Sequence, residues 1–306
     1  MTSVDLPAST VTSPVASPVT SASASAFIPA PATPYQGDIA RYWNEEARPV
    51  NLRLGDVDGL YHHHYGIGAI DHEALGDPAD SAYEKKLIAE LHRLESAQTD
   101  VLLDNLGAIG RDDLLVDAGC GRGGTMVMAH QRFGCKVEGV TLSAKQADFG
   151  NNRARELGIA DSVHSRVCNM LATPFETGQA AASWNNESSM YVDLHDLMAE
   201  HSRILAVGGR YVTITGCWNP RYGQPSKWVS QINAHFECNI HSRREYLRAM
   251  ADNRLVPQAV IDLTPETLPY WKLRATSSLV TGIEEAFIKS YEDGSFQYVL
   301  IAADRV

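Results

Sequence analysis

Two short stretches of this chain carry residue types that could do chemistry together. In "LLVDAGCGRGGT", Asp117-x-Gly119-x-Gly121-x-Gly123 follows a run of strand formers and opens a helical pattern. Glycines there strip side chains from the carboxyl end of a strand, so that backbone and ligand can approach closely. The same loop fits the dinucleotide spacing Gly119-x-Gly121-x-x-Gly124, and charge separates the two readings. A carboxylate at the strand tip, Asp117, accepts from an ammonium group and repels a pyrophosphate. The second strand ends "EGVTLS", with Thr141 where a dinucleotide enzyme places its ribose-binding acid. The loop therefore suits S-adenosylmethionine (SAM). The second stretch is "WNNESS", whose Glu187 follows another strand at the sheet edge where ligands bind in such folds.

A third stretch, "YHHHYGIG", sets His62, His63 and His64 between two tyrosines. Contiguous histidines cannot all face one ion: on a strand His62 and His64 share a face and His63 opposes it. No second His or Cys cluster completes a tetrahedral set. The segment reads as part of a cap over a substrate, with the histidines as packing and hydrogen-bonding support and Tyr65 as the residue of interest. "DDLLVD" is also set aside, because its acids, Asp112, Asp113 and Asp117, are spaced DDxxxD along a strand, not DDxxD on a helix.

These residues need a scaffold, and the patterning supplies one. "SAYEKKLIAELHRLESAQTDVLLDNLG" starts with a Ser81-x-x-Glu84 capping box, spaces Tyr83, Leu87, Leu91, Leu94, Val101 and Leu102 as on a helix, and stops near Gly107. Strand and helix patterns then alternate: "DLLVDAG", "GGTMVMAHQRFG", "CKVEGVTL", "SAKQADFGNNRARELG" with a second box at Ser143-x-x-Gln146, "VHSRVCNM", "AAASWNN", "VDLHDLMAEHSRILAVGG" and "RYVTITGCW". Such alternation predicts an α/β fold with a doubly wound, mostly parallel sheet. "SFQYVLIAADRV" is expected as an antiparallel edge strand after a helix in "GIEEAFIKSYEDG". Residues 34–110 read as an N-terminal helical cap, aromatic, Gly-rich and irregular from Tyr35 to about Leu75 and ending in the long helix, and 111–306 as the core. Residues 1–33, rich in Ser, Thr, Ala and Pro, read as a disordered tail.

The formal charge of −11 argues against nucleic acid or an anionic membrane as the main partner, and no apolar run is long enough to span a bilayer. Five cysteines without paired spacing point to a reducing cytoplasm. A homo-oligomer stays open.

With "HSRILAVGGRYVTITG" completing the pattern, residues 111–217 resemble class I SAM-dependent methyltransferases. "RLESAQTDVLLDNLG", the glycine loop and "GVTLSAKQADFGNNRARELGI" are similar to the cyclopropane-fatty-acid-synthase branch, whose members methylate alkenes. From Tyr35 onward, "ARYWNEEARPVNLRLG", "YHHHYGIG", "ASWNNESSMYVDLHD" and the text from "TITGCWNPRYGQPSKWVS" to "NRLVP" resemble the bacterial geranyl diphosphate 2-C-methyltransferases. The resemblance implies SAM and Mg²⁺ as cofactors, a prenyl diphosphate substrate, and 2-methylgeranyl diphosphate as product, on the way to 2-methylisoborneol-type terpenes. It implies that Asp117, Gly119, Gly121, Gly123, Thr141, Leu142, Gln146, Asn169, Met170 and Asn185 hold SAM. Asn169 stands where Asp is more usual, so its bond to the adenine amine would be neutral; Gln146 can also serve Ser143 in the capping box.

Alkene methylation needs no nucleophilic side chain, since the π electrons attack the methyl and leave a tertiary cation at carbon 3. Aromatic faces can stabilise that cation by roughly 2 kcal/mol or more per desolvated contact, and a base must take the proton from carbon 2 in a water-poor site. The resemblance assigns Glu187 to the active site as acid-base residue, Phe236 and Tyr65 to the cation or the proton relay, and Asn51 to the metal-and-diphosphate end. Trp184, Trp218, Tyr222 and Trp228 offer further rings, and Arg53, Arg221, Lys227 and Arg274 further cations. Another alkene, or a nitrogen or oxygen acceptor, is the competing enzyme reading; a non-catalytic SAM-binding protein is the competing reading from another class.

Overall fold

Strand formers and amphipathic helices alternate along the chain, and the structure, a computed structural model describing residues 31–45 and 50–306, is built from that alternation. Residues 1–30 of the expected tail lie outside the described residues. Seven strands form one sheet: β1 (Leu114–Ala118), β2 (Lys136–Thr141), β3 (Val163–Val167), β4 (Ala180–Asn186), β5 (Leu205–Trp218), β6 (Leu255–Asp262) and β7 (Phe296–Arg305), in the order β3-β2-β1-β4-β5-β7-β6. Strands β1 to β5 are parallel, and β7 runs antiparallel to both its neighbours. The antiparallel strand expected at the C-terminus is therefore present, one place in from the edge that β6 occupies.

Eleven α-helices are described: α1 (Pro34–Glu45), α2 (Val50–Gly55), α3 (His72–Leu75), α4 (Tyr83–Asp104), α5 (Gly124–Phe133), α6 (Ala144–Glu156), α7 (Leu194–Ile204), α8 (Lys227–Phe236), α9 (Arg243–Asp252), α10 (Thr264–Arg274) and α11 (Glu284–Glu292). Side chains alternate across the sheet: Tyr298, Leu300 and Ala302 of β7 join the core under α4, α10 and α11, while Val299, Ile301 and Ala303 join the core under α7 and α9. On α4, Leu87, Leu91, Leu94 and Leu102 are fully buried, each contributing roughly 1.5–3 kcal/mol.

Four local expectations change. The stretch read as irregular from Tyr35 to Leu75 holds α1, α2 and α3. The first capping box does not form: α4 is capped at Ala82 without a side-chain bond, and Glu84 accepts instead from the Ser278 backbone amide. At α6 the box is one-sided: Gln146 N donates to Ser143 Oγ (3.1 Å), but the Gln146 side chain turns to the Thr141 hydroxyl (3.0 Å). The expected Gly-Gly turn falls inside β5, where Leu205 pairs with Ala180 and Arg210 with Ala182, so residues 206–209 loop out between them. Gly208 takes a φ of +83° there.

Candidate active site

The carboxyl ends of β1, β2 and β4 meet at one edge, and the glycine loop opens a cavity of about 710 Å³ there. Gly119, Gly121, Thr141, Leu142, Gln146, Asn169 and Met170 line it, as do Gln36, Ile39 and Trp43 of α1, which roofs it. The roof is tied down by polar bonds: Ser143 Oγ donates to Asn44 Oδ1 (2.9 Å), and Asn169 Nδ2 donates to Gln36 Oε1 (3.2 Å). Asn169 Oδ1 already accepts from Leu171 N (3.0 Å). Glycine is required at 119, since φ is +94° and a Cβ would stand 2.3 Å from Ser188 Cβ. Asp117, Gly123 and Asn185 do not line this cavity. Asp117 is buried behind the loop, and that burial pushes its carboxyl up to about 7. Gly123 caps α5 in the left-handed region. The Asn185 amide is spent inside the fold, donating to Ala118 O (2.6 Å) and Ser188 Oγ (2.9 Å) and accepting from Tyr211. Its neighbour Asn186 lines the cavity instead.

A second cavity, about 760 Å³, adjoins the first, and Trp43, His63, Glu187 and Tyr191 line both. Asn51 of α2, Tyr65 of the histidine loop, Glu187 beyond β4 and Phe236 at the end of α8 all line it. Four residues separated by up to 185 positions thus face one space. Its other walls include Phe287, Phe296 and Arg274. Tyr65 sits 5.1 Å from the Phe287 ring and 4.6 Å from Trp271, and Trp271 stacks on Phe287 at 3.7 Å. Such close-packed rings present π faces that cannot turn away. Among the described residues the single Arg or Lys of this wall is Arg274, which is buried, with Nε 3.4 Å from Glu284 and Nη1 donating to Tyr270 (3.5 Å).

Glu187 joins the two cavities. Its φ of +53° turns the chain out of β4 while its amide donates to Ile214 O (3.0 Å). Burial pushes its carboxyl up to about 8, against a hydrogen bond from Tyr298 that favours the anion. Tyr298 accepts in turn from Gln98 Nε2 (3.0 Å), whose amide pairs with Asn186. Glu187 Oε1 is buried without a partner. A carboxyl with that pKa, an open lone pair and aromatic neighbours becomes available as a base as pH approaches about 8.

The histidine loop alternates as a strand would. His62 Nε2 meets Ser96 Oγ (3.3 Å) and His64 Nε2 meets Thr99 Oγ1 (3.0 Å), both on α4, while His63 faces the cavities. Among the described residues no group of three or more His, Cys, Asp and Glu side chains could hold a metal. The remaining candidates separate plainly. Trp184 is in the core, Trp218 and Trp228 pack against it away from the cavities, and Tyr222 is exposed. Arg53 and Arg221 lie on the surface, and Lys227 stands over the Trp228 ring at 4.1 Å. Unforeseen wall residues are Trp43, Tyr191, Phe287 and Phe296; a ring-rich composition around positions 35–65 and 287–298 hinted at all but Tyr191.

A doubly wound sheet with a glycine loop at β1 and a roofed cavity at its carboxyl edge defines a class I SAM-dependent methyltransferase. The family model of mycolic acid cyclopropane synthetases matches residues 61–175. Beyond that stretch, the geranyl diphosphate 2-C-methyltransferase of Streptomyces ambofaciens is 86% identical over 92% of this chain and 97% of its own length. The enzyme of the same name from Streptomyces coelicolor is 82% identical over 94% of this chain and 98% of its own. The crystal structure of the Streptomyces coelicolor enzyme with Mg²⁺, geranyl-S-thiolodiphosphate and S-adenosyl-L-homocysteine superposes with a TM-score of 0.90, covering 91% of this chain and 100% of that one. The chain belongs to the geranyl diphosphate 2-C-methyltransferase family.

Proposed function

We infer that the protein methylates carbon 2 of geranyl diphosphate, using SAM and Mg²⁺ and releasing S-adenosylhomocysteine and 2-methylgeranyl diphosphate. The observation that carries this reading is the aromatic cavity beside the glycine-loop cavity, with Glu187 on the wall they share. When bound, SAM supplies the methyl group that the substrate's C2=C3 π electrons take up, leaving the positive charge on carbon 3. Tyr65, Phe236 and Phe287 turn rings to that charge, each contact worth roughly 2 kcal/mol where water is excluded. Glu187 takes the proton from carbon 2, and the C–H electron pair restores the double bond. Tyr298 holds Glu187 in place. Asp117, behind the loop and off the cavity wall, draws the ammonium end of SAM by its charge, while Thr141, Leu142, Gln146, Asn169 and Met170 position its ribose and adenine. Gly119, Gly121 and Gly123 keep the loop bare, and Asn185 braces it through Ala118 O.

The diphosphate lies at the polar end, towards Asn51 and Arg274. Mg²⁺, when bound, would neutralise diphosphate charge there; the unpartnered Glu187 oxygen suits a hard cation and would border it, while the Asn51 amide faces the diphosphate oxygens. Residues 34–110 act as the cap and 111–306 as the catalytic core. No helix among the described residues is long and apolar enough to cross a membrane; five free cysteines, four of them buried, support a reducing cytoplasm. The exposed Val256, Val260 and Ile261 of edge strand β6 are where a homo-oligomer would extend the sheet. Incubation with SAM, Mg²⁺ and geranyl diphosphate, then mass spectrometry and NMR of the dephosphorylated alcohol, tests the function. A 14-dalton gain at carbon 2 is expected, and its absence overturns the substrate assignment.

A further inference from the structure

His63 is the one histidine of the triplet that borders both cavities, and both its ring nitrogens are engaged. Arg122, on the glycine loop and buried at 5% exposure, brings Nη1 to 2.7 Å from His63 Nε2. The Asn51 side-chain amide lies against the other nitrogen, with Nδ2 3.0 Å from Nδ1. The ring is seated on the loop itself: a Cβ at Gly121 would come within 3.0 Å of His63 Cδ2. Trp43 packs edge-on against it at 5.7 Å.

The donor inventory of this chain of contacts is decisive. A guanidinium has only N–H donors, so His63 Nε2 must accept. An Nε2 that accepts carries no hydrogen, so the ring is neutral with a single N–H. That hydrogen must sit on Nδ1. With Nδ2 turned to the ring, two N–H groups would confront each other. A half-turn about the Asn51 Cβ–Cγ bond replaces the clash with an Nδ1–H···O bond at the same distance.

We propose that Arg122 is a positioning residue for the substrate site: by taking His63 Nε2 as acceptor, it fixes the His63 hydrogen on Nδ1 and makes Asn51 present its amide N–H, not its oxygen, to the substrate cavity. A donor at that place recognises an anionic oxygen and does not ligate a cation. The cofactor loop thereby sets the polarity of a residue in the neighbouring cavity. This deepens the reading that the cavity takes a prenyl diphosphate and rests on it for the ligand, but not for the hydrogen-bond order.

Two measurements test it, the first independent of turnover. In ¹⁵N-histidine-labelled enzyme, His63 is expected as the Nδ1–H tautomer in wild type and in Arg122→Lys, which keeps a donor. In Arg122→Met the ring is expected to lose that preference. An Nε2–H tautomer in wild type overturns the proposal, and this reading holds even where Arg122→Met fails to fold. The second is calorimetric titration with inorganic pyrophosphate at saturating Mg²⁺. Asn51→Asp, which has no donor to offer, is expected to bind at least tenfold more weakly with S-adenosylhomocysteine affinity within twofold of wild type. Unchanged or tighter binding places an oxygen toward the cavity and overturns the proposal. Failure of wild type to methylate geranyl diphosphate would instead strike the substrate assignment, leaving the tautomer result to stand by itself.

Discussion

The two cavities share four wall residues yet are built in opposite ways. The floor of the cofactor cavity is local, although α1 and the segments after β3 and β4 complete its walls. Gly119 through Gln146 span one β-α-β unit, and β2 pairs with β1 in register from Leu114↔Lys136 to Ala118↔Val140, which brings the two strand tips side by side. The substrate cavity is assembled from afar: α2, the histidine loop, the end of β4, α8, α10, α11 and β7 each contribute one to three residues. A parallel sheet dictates the first, because every strand tip falls on the same edge. The second depends on how the cap and the C-terminal helices close over that edge, and α8 and α11 pack on each other as part of the same aromatic core. The shared scaffold supplies the methyl donor, and the acceptor is chosen by the elements added to it.

The comparison breaks most severely at Glu187, which borders both spaces. Glu187→Gln is expected to lower kcat by about 10²- to 10⁴-fold, the usual worth of a positioned base. Calorimetric S-adenosylhomocysteine affinity should stay within twofold; a parallel loss would mean that the wall serves the cofactor as well. The wild-type pH profile sharpens the same point. Reaction needs the carboxylate, so kcat/KM should rise with pH along a limb lying well above 4.5, toward about 8. Stability of the free enzyme runs the other way. An acid whose folded pKa is raised favours the protonated form, so stability falls as pH climbs from 4.5 through about 8. The melting temperature of wild type should thus decline relative to Glu187→Gln between pH 6 and 9.

Phe236→Ala tests the distant wall. Loss of one desolvated ring contact, roughly 2 kcal/mol, predicts about a 30-fold fall in kcat, read in single-turnover kinetics. Weakened cofactor binding instead would make Phe236 a packing residue. The smallest effect is expected in the local cavity. Thr141→Val removes the hydroxyl that donates to Gln146. One neutral hydrogen bond, about 0.5–1.5 kcal/mol, predicts a 2- to 10-fold rise in KM for SAM with KM for geranyl diphosphate unchanged. A rise in both would join the two cavities more tightly than their shared wall implies.

Legibility in the sequence follows the same division. The strands of the local unit could be read to within a residue or so, since their apolar faces alternate and glycine marks their ends. β6 could not: "LVPQAVID" has a proline, and as an edge strand it leaves most side chains exposed, so no buried face shows in its text. α1 escaped because it buries only Gln36 and Ile39, too narrow a stripe to be periodic. The first capping box failed because α4 begins at Tyr83, one turn position past where Ser81 could cap it. Phe236 and Asn51 were reached through family likeness, Glu187 and Tyr65 also through their places after a strand and beside the histidines, and no spacing in the chain links the four.

By itself the sequence determined the five parallel strands and the antiparallel strand after them, the bare glycine loop and the acid at its first strand tip. These are properties of neighbours along the chain, carried by side-chain periodicity and backbone freedom. Only the tertiary structure decided that Glu187 faces an aromatic wall, that burial lifts its carboxyl to about 8, and that His63, of three like residues, borders both cavities. Each depends on which distant side chains exclude water from a given atom. Desolvation and enclosure are set by the packed whole, and no stretch of sequence contains them.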